Sequence, residues 1–307
     1  MRRSFLALAT LLVAVLAGTL LTAPPTVAAD KHPVPYNFLP WAVAGGAQSN
    51  AVGTNIWTCK PSAAHPRPVV LVHGLMGNRS TNWPTYGPLL ANEGYCVFAL
   101  TYGVPAGYPP VFGGLNDMRH SARQLRTFVD EVLAATGAEE VDIVGHSEGT
   151  LMPNWYVKYL GGAEKVRRYV SIAPVWRGTQ AASPATIAAR VSGADPGAVA
   201  PVCVSCGQFS PDSQFMRQIR KGGIADPGVE YTNIVTMYDE LVIPYTSGIV
   251  KGMRNHVIQH TCATNLSEHF QIVSDRQTSV LVLNALDPAN RRTVPCEVVL
   301  PFVGGRP

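Results

Sequence analysis

The stretch Gly145-His146-Ser147-Glu148-Gly149 constrains this chain more than any other. Before it, Val141-Asp142-Ile143-Val144 reads as a short buried strand, and after it Thr150 to Leu160 reads as a helix. A strand that passes into a helix through so tight a turn leaves its central residue at a sharp apex. Gly145 and Gly149 keep bulk away from that turn and let the helix close onto the strand, so the Ser147 hydroxyl points outward. A bare G-x-S-x-G match arises often by chance in a chain with 28 glycines. The flanking strand and helix give this one its weight.

The same alternation runs through the rest of the chain. Val69 to Val72 reads as a strand ending at His73-Gly74, Trp83 to Asn92 as a helix, and Tyr95 to Leu100 as the next strand. Asn116 to Ala135 carries a helical apolar pattern through Met118, Leu125, Phe128, Val129 and Val132. Further strands are expected at Val166 to Ala173, Tyr231 to Met237 and, with a weaker pattern, His256 to Gln259; Ser279 to Leu286 reads as a last helix. Strands alternating with helices predict an α/β fold with a mostly parallel sheet covered on both faces. The interval from Pro174 to Gly228 breaks the rhythm. Rich in alanine, glycine, proline and serine, it is expected to form a cap over the site, about residues 174–228, the alternative being a surface excursion with no gating role.

Residues 1–29 read as a secretory signal, with Arg2 and Arg3, an apolar stretch from Phe5 to Leu21, and Val27-Ala28-Ala29 before Asp30. A membrane anchor is the competing reading; Gly18, Thr19, Pro24 and Pro25 weaken it. Residues 30–307 then form the mature domain, opening with an extended lead-in to about Ala51. Without Arg2 and Arg3 the balance is 22 basic to 20 acidic residues, which gives no reason to invoke nucleic acid. Six cysteines, Cys59, Cys96, Cys203, Cys206, Cys262 and Cys296, all follow the signal. An even count in an exported chain points to disulfides, and we expect them to pair in order along the chain. Cys203 and Cys206 alone would be half a zinc site or a redox pair, but no second ligand pair accompanies them, and a local staple is expected.

A serine hydroxyl needs a base to take its proton, and the base needs an acid to orient it. In a fold of this kind the order along the chain is serine, acid, histidine. Three histidines follow Ser147. His256 and His260 flank or lie within a predicted strand, whereas His269 lies in the polar loop Ser267-Glu268-His269-Phe270 and is the candidate base. Asp239 directly follows the apolar run Ile234 to Tyr238, at the carboxyl end of a strand, and is the candidate acid; Glu240 is its closest rival. Asp195, Asp212 and Asp226 fall in the cap interval, where turn roles are commoner. Two backbone donors are needed for an oxyanion. Glu148 N–H supplies one, and Leu75 N–H in His73-Gly74-Leu75-Met76-Gly77 is expected to supply the other, with Met76 the runner-up and His73 organising the loop.

At these residues the chain resembles a known family. Val72 to Gly77, Gly145 to Gly149, Tyr238-Asp239-Glu240-Leu241-Val242-Ile243-Pro244-Tyr245 and Ser267-Glu268-His269 look like the secreted bacterial triacylglycerol lipases (class 2) of the α/β-hydrolase superfamily. The resemblance runs from about Pro68 to Leu286. It implies an α/β-hydrolase fold and hydrolysis of carboxylic esters by Ser147, Asp239 and His269, with Leu75 and Glu148 as oxyanion donors. A lipid or other ester is the expected substrate, and a monomer with transient lipid contact through the cap is expected. No cofactor and no metal site are expected. Phe209, Phe215 and Ile219 would either line an acyl groove or serve as ordinary packing. A carboxylesterase, a polyester hydrolase, an acyltransferase or a lipid-binding protein without turnover remain alternatives.

Overall fold

The computed structural model describes residues 30–44, 49–181 and 202–305. The expected signal, 1–29, and the centre of the expected cap, 182–201, lie outside the described residues. From Lys31 onward the chain forms one compact unit. Its frame is a parallel sheet of six strands: β1 (Val69–Val72), β2 (Val97–Leu100), β3 (Val141–His146), β4 (Val166–Ile172), β5 (Glu230–Val235) and β6 (Arg254–Val257). They lie in the order β2-β1-β3-β4-β5-β6, and every neighbouring pair is parallel.

Strands covered on both sides read as near-continuous apolar runs instead of alternating, as β1 and β2 do. The side-chain period of two still divides them between two cores. Val70, Val72, Phe98, Leu100 and Ile143 pack on one face, with Met118, Leu125, Val129, Leu151 and Met152. Val69, Leu71, Val97, Ala99 and Val144 pack on the other, with Trp83, Leu90, Leu281 and Val282. The helices covering the faces are α2 (Tyr86–Asn92), α3 (Met118–Thr136), α4 (Glu148–Tyr159) and α7 (Arg276–Leu286). Helix α3 buries Met118, Ser121, Ala122, Leu125, Val129, Val132 and Thr136, which is helical spacing along one stripe. Asp117 caps its start by accepting from Arg119 N at 2.7 Å, and Gly137, at φ +78°, ends it.

Several boundaries differ from the sequence reading. The lead-in contains a short helix, α1 (Leu39–Ala44). The last strand begins two residues earlier than expected, and a helical turn, α6 (Ile258–Thr261), follows it at once. Within the expected cap, Ser205–Phe209 forms a 3-10 turn and Gln214–Arg220 a helix, α5. Phe209, Phe215 and Ile219 are core residues, with Phe215 stacked on Trp155 at 5.3 Å, so these three take the packing role and not the groove role. The cysteines pair in order: Cys59–Cys96, Cys203–Cys206 and Cys262–Cys296. The third ties the tail beside the last strand, where Val299 bridges Asn265. No described helix is long and apolar enough to cross a membrane.

Candidate active site

In an open parallel sheet, ligands bind beyond the carboxyl ends of the strands, where the strand order reverses. Here the chain runs outward from β1 to β2, then returns to place β3 on the other side of β1. The crevice therefore opens between the loop after β1, residues 73–77, and the turn after β3, residues 147–149.

Ser147 sits at that second turn with φ +54° and ψ −118°, a region a residue with a side chain occupies at a cost of about 1–3 kcal/mol. The surroundings leave it no alternative. A Cβ on Gly145 would lie 2.0 Å from Gly149 O, and one on Gly149 would lie 1.9 Å from Val72 O. The first turn of α4 thus crosses the ends of β3 and β1 with backbone touching backbone. Ser147 N–H donates to Ile172 O on β4 at 3.0 Å, and Ser147 O accepts from both the amide and the hydroxyl of Thr150. The apex is tied on both sides, and its side chain remains partly exposed.

The acid and the base come from the loops after β5 and β6. Asp239 and His269 are both almost wholly buried, and both carboxylate oxygens lie 2.9 Å from His269 Nδ1. The same carboxylate accepts from Leu241 N at 3.0 Å and Val242 N at 2.7 Å, which fixes its plane. Glu240 does not compete for the ring. Its Oε2 accepts the backbone N–H of His269 at 3.2 Å. Burial alone would pull the His269 pKa down, but the charge and hydrogen bond of Asp239, with Glu240 and Glu268 nearby, outweigh it and the net shift is upward. His256 and His260 lie at β6 and α6, with no hydrogen bond to Asp239 among the described residues.

His146 is a contributor that the sequence reading missed. Its Nε2–H donates to the His269 carbonyl at 2.9 Å, and the two rings stand 5.1 Å apart. The residue before the serine thereby holds the backbone of the candidate base. Burial, with His269 adding, lowers its pKa to about 3, so it stays neutral. Only its place inside the motif hinted at this, because a buried polar residue at the end of a strand must find a partner. Thr236 adds a second tie, donating to Ser267 O at 2.6 Å.

The loop after β1 presents the remaining donors. His73, buried and drawn down to about 4 by burial, donates from Nδ1 to Gly74 O at 2.8 Å and accepts Tyr102 N–H at Nε2. It stacks on Tyr102 at 4.2 Å, so it organises the loop. A Cβ on Gly74 would stand 3.1 Å from Ser147 Cβ, which puts this loop against the serine. Met76 N–H is engaged with Gly113 O at 2.9 Å. Leu75 N–H meets no acceptor among the described residues, and Glu148 N–H, in the first turn of α4, has no partner within its helix. The Glu148 carboxyl is wholly buried with no cation beside it. Burial raises its pKa well above the carboxylate range, against smaller opposing pulls from Tyr102 and Ser205. Among the described residues no group of three His, Cys, Asp or Glu side chains is placed to hold a metal ion.

Comparison with known proteins follows the same lines. A family model described as Lipase (class 2) matches residues 66–281. Aspergillus fumigatus lipase B superposes with a TM-score of 0.58 at 20% identity, over 84% of this chain and 63% of its own. The chain thus spans less than two thirds of that protein's length. Bacillus licheniformis lipase BlEst2 in its mature form gives 0.51 at 16% identity, over 74% of this chain and 94% of its own. At these identities the two structures share the α/β-hydrolase fold with this chain. The steric limit at the elbow leads to a direct expectation. Gly149→Ala should cost about 3 kcal/mol or more and lower Tm by roughly 6–12 °C, read by thermal melting.

Proposed function

The chain belongs to the class 2 lipase family, and we propose that it is an ester hydrolase, specifically an exported serine lipase acting on acylglycerols or related lipid esters. The observation that carries the reading is the buried Asp239–His269 pair, both carboxylate oxygens at 2.9 Å, tied through the His269 carbonyl to His146, the residue before the strained Ser147.

The chemistry then runs as two acyl transfers. Ser147 Oγ attacks the ester carbonyl carbon while its proton passes to His269 Nε2. The carbonyl electron pair moves onto oxygen, and the resulting anion is received by the N–H groups of Leu75 and Glu148. As the C–O bond to the alcohol breaks, His269 returns the proton to the leaving oxygen. Water repeats the sequence on the acyl-serine, releasing the carboxylic acid and restoring Ser147. Asp239 stabilises the imidazolium at each stage without taking a proton. The start of α4 adds a positive dipole end at the anion.

Two features support a lipid substrate and export. Met237, Tyr238 and Ile243, 47%, 48% and 42% exposed, surround Asp239 in sequence and present apolar surface where an acyl chain or a lipid surface would meet the site. Three disulfides suit an oxidising compartment, in line with residues 1–29 acting as a signal that is removed.

Ser147→Ala should abolish hydrolysis of p-nitrophenyl esters and labelling by a fluorophosphonate; retention of wild-type turnover would refute the assignment. In the same assay, a preference for long-chain emulsified triglycerides over short soluble esters is expected, and the reverse preference would mark a carboxylesterase. The upward shift of His269 sets the pH dependence. Its base form is neutral, so a raised pKa keeps the inactive imidazolium to higher pH and puts the acidic limb of kcat/KM above pH 6.5. Glu240→Gln removes one of the negative charges holding the shift, and its limb should move to lower pH than that of wild type, as a pH–rate profile would show.

A further inference from the structure

A backbone N–H that must face substrate cannot be oriented by a hydrogen bond of its own, so its direction has to come from its neighbours. Leu75, on the reading above, is such a residue. Its loop is held by two bonds to the segment around Gly113: Met76 N–H donates to Gly113 O at 2.9 Å, and Gly113 N–H donates to Gly77 O at 2.8 Å. The next residue, Gly114, presses on Leu75 directly, since a Cβ there would stand 3.1 Å from Leu75 Cα. Its φ of +75° is one that few other residues adopt.

Gly114 N–H donates to Tyr102 O at 2.8 Å, and its carbonyl is held from a distant part of the chain. Ser205, wholly buried, donates its hydroxyl to Gly114 O at 2.5 Å and its N–H to Leu115 O at 3.3 Å. A buried hydroxyl is costly unless bonded, and outside its own disulfide loop this one is bonded to Gly114. Ser205 lies inside the ring closed by Cys203–Cys206, three positions apart, which fixes its backbone. The disulfide itself packs with Leu115, and Leu75 and Met76 lie against that cluster. The Glu148 carboxyl oxygens approach the same Cβ position to 3.2 and 3.3 Å, so the residue is closely hemmed in.

We infer that Ser205, held by the Cys203–Cys206 disulfide, is a positioning residue that aims the Leu75 N–H at the developing oxyanion through Gly114. The inference rests on the reading of Leu75 as an oxyanion donor. It gives the Cys-Val-Ser-Cys segment a role in transition-state binding and not only in stapling a loop.

The test compares Ser205→Ala, Ser205→Thr and the double variant Cys203→Ala/Cys206→Ala with wild type, after counting intact sites by fluorophosphonate titration. Losing the aim of one oxyanion donor should lower kcat for p-nitrophenyl butyrate by about ten- to a hundredfold, with KM within about twofold. The Ki of phenylboronic acid, whose adduct on Ser147 carries a tetrahedral oxygen, should weaken in step. Ser205→Thr, which keeps the hydroxyl, should recover most of the loss. Unchanged kcat and Ki in Ser205→Ala, or a rise in KM alone, would overturn the inference while leaving the serine mechanism standing. A wild-type protein that fluorophosphonate does not label at Ser147 would remove the premise, and the inference with it. If the double cysteine variant does not fold, the Ser205→Ala and Ser205→Thr pair decides.

Discussion

The contact between the backbone of Gly149 and the carbonyl of Val72 sets the geometry on which the site depends. It brings α4 so close to β1 and β3 that no side chain fits between them, at Gly149 or at Gly145. From that closeness follow the strained φ of Ser147, the free first-turn N–H of Glu148 and the approach of Gly74 to the serine. A helix packed one methyl group further away would relax the turn and pull all three apart. Strain of this kind persists only where the surroundings over-determine the backbone. Here the parallel pairing of β3 between β1 and β4 does so, with Val72 opposite Gly145 and Ser147 N–H hung from Ile172.

Burial then sorts the ionisable groups around this frame. His73 and His146 lie in low-dielectric surroundings that keep both neutral, and burial raises the Glu148 carboxyl pKa well above the carboxylate range. Each serves as a hydrogen-bonding or packing group. His269 behaves differently because burial is opposed there by Asp239, Glu240 and Glu268. The surroundings of His269 therefore favour a positive imidazole, while His73 and His146 add no charge. Such an arrangement costs little reorganisation when charge develops, which is how preorganised sites lower a barrier.

Much of this was legible in the sequence because the signals are local. Short segments rich in valine and isoleucine marked β1, β3 and β4 closely, and the spacing of Met118, Leu125, Val129 and Val132 marked α3. The order of Ser147, Asp239 and His269 was readable for the same reason: each stands at the end of a strand or in the loop that follows. Less legible were features that depend on distant partners. The turn into α6 after β6 is a case, since Gln277 bonds the carbonyl of Ile258 and the hydroxyl of Thr261 from α7. Phe215 and Ile219 stand in a segment whose composition suggested a cap, yet they pack into the core through α4. His146 carried no periodicity that separates a holder of His269 from an ordinary strand residue.

Precision at His269 is the harder physical problem, because its loop has no ladder of its own and backbone freedom is costly to remove. The loop is held instead largely by its own side chains, which bond backbone groups near both ends of the chain. Gln271 accepts Phe38 N–H and donates to Tyr36 O, bridging residues as far as 235 positions apart, and Phe38 stacks on Phe270 at 5.8 Å. Glu268 accepts Gln271 N–H through one oxygen and Phe302 N–H through the other. Bonds to buried or ionised groups contribute on the order of 1–3 kcal/mol each, and several acting on one short loop hold it far below thermal wandering. The lead-in and the tail, which look like dispensable extensions of an α/β sheet, are by this reasoning part of what holds the His269 loop against His146.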